Sequence, residues 1–282
     1  ILAVDTTLAS RCGCALDLSD PVNDRAMFHV DDAYFFPTVR IRSQRCFTNT
    51  VSNTAFRGFG GPQGVVAAER MIEEIAFALG KDPLEVRKRN LYREGRDTTH
   101  YGQTITHHVL SELISQLETS ADYEARRAEI TAFNQQSPVL KRGLALTPVK
   151  FGISFTAKHL NQAGALVHVY QDGSVHLNHG GTEMGQGLNT KVAQIVAEAF
   201  QCDISRIKIT RTTTEKVPNT SATAASSGSD LNGMAALDAA EQIKARLIDF
   251  VAERWQAPRD EVRFIPGHIR AGGQDVPFDE VI

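Results

Sequence analysis

A chain of 282 residues has room for one large domain or two moderate ones. At 42% hydrophobic and 22% charged it sits near the globular average, which excludes a disordered or fibrous protein. Its 30 Lys and Arg against 33 Asp and Glu leave a net charge of −3, without the basic excess expected of a nucleic-acid binder. No apolar run approaches the roughly 18 residues of a membrane-spanning helix. The start, Ile1-Leu2-Ala3-Val4, lacks a signal peptide's basic region. These readings point to a cytoplasmic protein with no nucleic acid and no membrane among its partners.

Residues 1–8 read as a strand, and Val276-Pro277-Phe278-Asp279-Glu280-Val281-Ile282 carries no stop signal. Both ends read as cuts through structure, so the sequence is expected to be an internal fragment of a longer polypeptide. Residues 25–50, rich in aromatic and β-branched types, read as strands and loops. The glycine-rich turn 56–64 then opens a helix whose stripe is Val65, Ala68, Ile72, Ile75 and Leu79, with Glu69, Glu73 and Glu74 off it and Gly80 as its stop. Asp82-Pro83 caps a short second helix to about Arg89.

From Glu94 to Arg142 the chain is more polar, with helices expected near 108–118 and 122–135. The composition turns apolar at Gly143. Val167 and Val169 alternate with His168 and Tyr170, and Asp172-Gly173 supplies the turn of a hairpin over 164–179. Gly180–Gly187 leads into a helix with the stripe Val192, Ile195, Val196 and Phe200, followed by a strand at about 204–212. A run of small residues, 219–229, opens a long helix over about 230–255. Strands and helices mix without regular βαβ alternation, which makes the fold class α+β.

The segments 56–64, 180–190 and 219–230 share one design: glycine and small hydroxyl residues ahead of a helix. Glycine lets backbone approach a ligand, and a helix N-terminus favours an anion. Gln186, Thr190, Lys191, Ser226 and Ser227 add side-chain donors. Three such loops suggest a large, polar, phosphate-bearing cofactor held mainly by backbone. No Walker or dinucleotide fingerprint is present, so directly bound ATP, GTP or NAD is disfavoured. The nine histidines are scattered, and Cys12, Cys14, Cys46 and Cys202 read as reduced thiols. Any metal is therefore expected to take its ligands from the cofactor.

The runs Thr54–Gln63, Phe151–Thr156, Leu160–Leu166 and His179–Gly187, with Val217-Pro218-Asn219 and Thr223–Ser226, resemble the molybdenum-binding portion of the xanthine dehydrogenase/aldehyde oxidase family of molybdenum hydroxylases. The resemblance covers nearly the whole chain and fades after about 255. It implies molybdopterin-binding domains of mixed strands and helices in two subdomains. These would be the C-terminal part of the first over 1–93, a connector over 94–142, and the N-terminal part of the second over 143–282.

By position, the resemblance implies that the Arg57 and Ala225 backbones lie beside molybdenum without ligating it. It further implies that Arg57, Gly58, Gly185, Gln186, Lys191, Ala225 and Ser226 hold the cofactor. Phe59 and Phe155 would sandwich the substrate ring and Thr156 would hydrogen-bond it. Arg25, which on its own reads as a solvated surface charge, resembles the arginine that steadies negative charge on a purine oxygen. It thereby favours hypoxanthine and xanthine over aldehydes.

The implied activity is purine hydroxylation with oxygen from water. Electrons would pass through 2Fe-2S clusters and FAD, in partner domains or a partner subunit, to NAD as acceptor, in an oligomeric parent enzyme. The general-base glutamate would lie beyond Ile282 and other substrate- and metal-facing side chains before Ile1, so the fragment alone is expected to be inactive. The alternatives are an aldehyde oxidoreductase of the same family and a non-catalytic scaffold whose glycine loops are only turns.

Overall fold

The computed structural model describes residues 1–216 and 220–282; the Val217-Pro218-Asn219 motif lies outside the described residues. The chain divides into two compact units, Ile1–Gly152 and Ile153–Ile282. The compositional change at Gly143 falls inside the first.

The first unit opens with the long strand β1 (Ala3–Gly13), crosses over through helix α1 (Ser19–His29), and returns as β2 (Thr38–Phe47). The two strands pair in parallel from Ala3 opposite Thr38 to Arg11 opposite Cys46. Helix α1 corrects the expectation of strands and loops from residue 25 onward. Its sequence, SDPVNDRAMFH, buries Ser19, Asn23, Arg25, Ala26 and His29, so apolar periodicity carries no helical signal there.

Helix α2 (Gly61–Leu79) begins at Gly60 and stops at Gly80, both in left-handed backbone; it buries Ala68 and Ile72 of the expected stripe together with Ala76, while Leu79, expected in the stripe, is exposed. In α3 (Pro83–Asn90) the Asp82 side chain accepts the Leu84 amide at 2.8 Å, the expected N-cap with Pro at the first position. Helices α4 (Leu110–Ser120) and α5 (Tyr123–Gln136) follow within two residues of their expected spans. The core of this unit gathers Tyr34, Ile72, Leu84, Leu91, Ile114 and Leu146.

In the second unit β3 (Ala165–Val169) and β4 (Val175–His179) form the expected antiparallel hairpin. Gly173 sits at φ +74°, and the Asp172 carboxylate accepts the Ser174 amide at 2.9 Å. Helix α6 (Leu188–Phe200) leads to β5, which is only Ile207–Ile209, parallel to β4. The strand expected over 204–212 is shorter because Asp203 caps a single tight turn at Ile204–Arg206 first.

Helix α7 (Gly228–Trp255) lays Gly233, Ala236 and Ala240 against the sheet and α6. A Cβ on Gly233 would stand 2.5 Å from Ile195. Beyond α7 the chain continues as an antiparallel meander, β6 (Arg263–Ile265), β7 (His268–Ala271) and β8 (Gln274–Pro277), closed by the short helix α8 (Phe278–Val281). Ile269 and Phe278 join the second core with Val175, Leu177, Val196 and Phe200.

Candidate functional site

In the first unit the chemistry gathers on α1. Arg25 is 2% exposed, which overturns its isolated reading as a solvated surface charge. Its guanidinium donates through Nη1 to the Gly152 carbonyl and stands 5.8 Å from the Phe59 ring centroid and 5.4 Å from that of Phe151. The Nε atom is buried and makes no hydrogen bond. Burial pushes the Arg25 pKa below its ordinary value. A guanidinium stays charged through any such shift within reach, so the site holds a dehydrated cation between two aromatic faces with one donor unspent.

The loop 56–64 brings Phe59 to this cation by unusual backbone. Gly58, Phe59 and Gly60 all have positive φ, +89°, +54° and +99°. For Phe59, with its Cβ, that is a strained conformation, and such strain concentrates at functional sites. The glycines do not all serve ligand approach, as the sequence suggested. A Cβ on Gly60 would lie 1.9 Å from the Val22 carbonyl oxygen, and one on Gly64 would lie 2.5 Å from that of Ala26. Their task is to let α2 close on α1. Arg57 is exposed at the tip of the same loop.

In the second unit three segments are tied together. The Ser154 amide donates to the Ala225 carbonyl at 2.8 Å, and Thr182 donates to the Thr223 hydroxyl at 2.8 Å. The Ser221 amide donates to the Gln162 carbonyl at 3.2 Å. Phe155, 5% exposed, is fixed on both sides of its backbone by Asn161, whose side-chain amide accepts from the Phe155 N–H and donates to its carbonyl, each at 2.8 Å. Thr156 follows it. Phe155, Thr156, the 182–187 loop and Ala225–Ser226 are therefore neighbours in this unit. Ala225 and Ser226 are consecutive non-glycine residues at φ +57° and +56°, an energetically costly pair.

The 182–187 loop corrects one expectation. The amides that would greet an anion are already engaged: Glu183 accepts from Gly185 at 2.9 Å, Gly187 at 3.0 Å and Asn189 at 3.0 Å. These amides hold its carboxyl below the usual carboxylate range, so it remains the N-terminal anion of α6. Gln186 braces the loop, its amide nitrogen donating to the Thr182 carbonyl at 2.8 Å. The exposed surface stays available for a ligand: Gly185 and Gly187 have positive φ, nothing lies within 4 Å of a Cβ added to either, and Lys191 is exposed one turn into α6. Buried polar atoms of Thr213, Ser221 and Asn232 make no hydrogen bond nearby. Open glycine backbone, strained small residues and unspent polar atoms fit a large polar ligand such as molybdopterin. Its phosphate would have to find Lys191 and side chains rather than those three amides.

Sequence reasoning named Arg25, Phe59, Phe155, Gln186 and Ala225 but missed the residues that hold them. Asn161 and Glu183 lie inside recognised motifs, but the sequence gives neither residue a role. His29 carried no signal beyond standing four residues after Arg25, one helical turn on.

Comparison with known proteins identifies the family. A family model described as the molybdopterin cofactor-binding domain matches residues 1–91, and a second of that description matches residues 116–282. The chain is 53% identical over 247 residues to "Xanthine dehydrogenase 1" of Arabidopsis thaliana, covering 88% of this chain and 18% of that protein. It is 49% identical over 250 residues to "Xanthine dehydrogenase/oxidase" of Mus musculus, covering 89% and 19%. It thus spans about a fifth of the length of these relatives. Among solved structures, the quinoline 2-oxidoreductase of Pseudomonas putida superposes with a TM-score of 0.79 at 22% identity, covering 99% of this chain and 37% of the other. The aldehyde oxidoreductase of Desulfovibrio desulfuricans does so with 0.73 at 24% identity, covering 98% and 31%. These two show the fold. The chain belongs to the molybdopterin cofactor-binding domain family.

Proposed function

We propose that the chain forms part of the cofactor and substrate pocket of a cytoplasmic molybdenum hydroxylase that oxidises hypoxanthine and xanthine to urate, with water as oxygen source. Electrons leave through 2Fe-2S clusters and FAD to NAD, carried by other parts of the parent enzyme. Molybdopterin, when bound, supplies the oxidising metal centre. Gly185, Gln186, Lys191, Ala225 and Ser226 hold it, with Arg57 and Gly58 lining the metal side. Phe59 and Phe155 grip a flat heterocycle, and Thr156 orients it.

The single observation that carries the reading is the Arg25 guanidinium, buried, stacked beside Phe59 and left with an unspent Nε donor. A fixed, dehydrated cation is suited to a substrate whose oxygen gains negative charge as the ring is attacked. A simple aldehyde has no second oxygen for it to hold. In the complete enzyme, Arg25→Met should lower kcat/KM for xanthine by about a hundredfold or more, the scale of losing one preorganised donor. Benzaldehyde turnover should fall far less. Equal losses on both substrates would remove Arg25 from substrate recognition and return the aldehyde reading to first place.

A further inference from the structure

We infer that His29 is the positioning residue for the Arg25 guanidinium, acting through the backbone of Gly152. The inference rests on the purine reading of Arg25 and adds the group that holds it in place. His29 is 3% exposed and lies one turn along α1 from Arg25. Its Nδ1 is 2.8 Å from the Arg25 carbonyl oxygen, and its Nε2 is 3.0 Å from the Gly152 amide nitrogen. A carbonyl only accepts and an amide N–H only donates, so Nδ1 carries the proton and Nε2 has the lone pair. The Gly152 carbonyl in turn accepts from the guanidinium. The circuit closes on itself: Arg25 carbonyl, imidazole, Gly152 amide, Gly152 carbonyl, Arg25 side chain.

The neighbourhood is built to keep that circuit rigid. Phe151 tilts against the imidazole, ring centroids 5.2 Å apart, while also lying beside the guanidinium. A Cβ on Gly61 would stand 2.7 Å from the Phe151 ring, so the start of α2 is glycine where it passes the ring. The turn after α1 grips the preceding residue twice: Asp32 accepts the Lys150 amide at 3.2 Å, and Asp31 pairs with the Lys150 ammonium. Burial holds the imidazole below its ordinary pKa, in keeping with the neutral tautomer the contacts require.

An arginine side chain has much rotamer entropy to lose, and its fork works only when aimed. Groups that orient a metal's ligands from behind are worth about 10–100-fold when removed, and the same scale is expected for a group that aims this guanidinium. His29→Leu keeps the volume and deletes both hydrogen bonds; His29→Gln keeps an acceptor for the Gly152 amide.

The test is a double-mutant cycle in the full-length parent enzyme, with molybdenum content and thermal melting checked for each variant. Wild type, Arg25→Met, His29→Leu, His29→Gln and the double variant Arg25→Met/His29→Leu are compared by kcat/KM for xanthine and for benzaldehyde and by urate binding in calorimetry. The expected result is a loss on xanthine of about 10–100-fold in His29→Leu. The benzaldehyde loss should be smaller, urate affinity weakened, and His29→Gln partly restored. Adding His29→Leu to Arg25→Met should cost nothing further in xanthine selectivity, because the two act as one unit.

If Arg25→Met separates the substrates while His29→Leu lowers both equally, or neither, the positioning role is overturned and the purine reading stands. If Arg25→Met itself fails to separate them, the purine reading falls and the inference falls with it. Should His29→Leu fail to fold, the same cycle with His29→Gln decides, since additive losses in that cycle would equally refute coupling.

Discussion

Arg87 shows how a buried charge can escape a hydrophobic-pattern reading. Its side chain is 1% exposed, and it donates through Nε to Glu69 at 2.7 Å while Tyr34 donates to the other Glu69 oxygen. Glu69 sits off the apolar stripe of α2, where the pattern reads it as solvated. Instead it is the anion that lets Arg87 and Tyr34 be buried at all. Removing one partner of a buried pair strands the other, at about 3–5 kcal/mol. Glu69→Ala is therefore expected to lose about 3 kcal/mol in urea denaturation, at the low end because Glu73 remains 3.4 Å from Arg87. Glu69→Ala/Arg87→Leu, with no orphaned cation, should recover at least half of that loss. A double variant as unstable as the single would show that the pair is not the source. Arg25 poses the same difficulty: a polar letter in a polar stretch gives no sign of burial, and only the motif resemblance assigned it a role.

Among the elements, those with an apolar stripe and a cap were legible. Helices α2, α3 and α6 and the β3–β4 hairpin follow from stripe spacing, Asp-Pro capping and an Asp-Gly turn. Helix α1 was not, because its inward face is Ser19, Asn23, Arg25 and His29, polar residues held by contacts such as Ser10 to Asn23, His29 to the Arg25 carbonyl and Arg25 to Gly152 that periodicity cannot foresee. The C-terminal meander was missed for another reason: its strands are only three or four residues long. Glycines of the first loop were read as ligand-facing, yet Gly64 belongs to the α1–α2 contact. Gly64→Ala should force the helices apart and cost about 1–3 kcal/mol, the usual range for overpacking. Gly143→Ala, where an added Cβ meets nothing within 4 Å, should be neutral within about 0.5 kcal/mol. If both substitutions shift the melting midpoint equally, close helix approach is not what Gly64 provides.

For the molecule as a whole, the boundary at residue 152 has an energetic meaning that composition did not reveal. The apolar turn at Gly143 suggests a cut there, but Lys150, Phe151 and Gly152 serve the first unit. Asp31, 1% exposed in its side chain, is held by the Lys150 ammonium and by Tyr92 at 2.6 Å, with His100 at 3.6 Å. Burial alone would raise its pKa, and these partners hold it below the ordinary value. Asp32 beside it is pushed up to about 8, by burial first and by the carboxylates of Glu69 and Asp31.

A chain ended at residue 142 would bury Asp31 without its cation; one ended at 152 would not. The longer piece should be more stable near neutral pH by about 3 kcal/mol, which for a unit of this size is roughly 6–12 °C in Tm. The sign with pH follows from the two aspartates. The lowered Asp31 stabilises above its unfolded pKa of about 3.9, and that contribution is lost as pH falls through its folded value. The raised Asp32 favours folding fully below about 4, and its contribution declines as pH rises towards about 8. The longer piece should thus be most stable in the mildly acidic range. The gap between the two pieces should be widest near neutrality and should narrow as pH drops below about 4, where Asp31 no longer needs Lys150, down to what Leu146, Phe151 and Gly152 contribute at any pH. Melting curves of both pieces across pH 3–8 measure this, and a gap that is absent or independent of pH would place the boundary elsewhere.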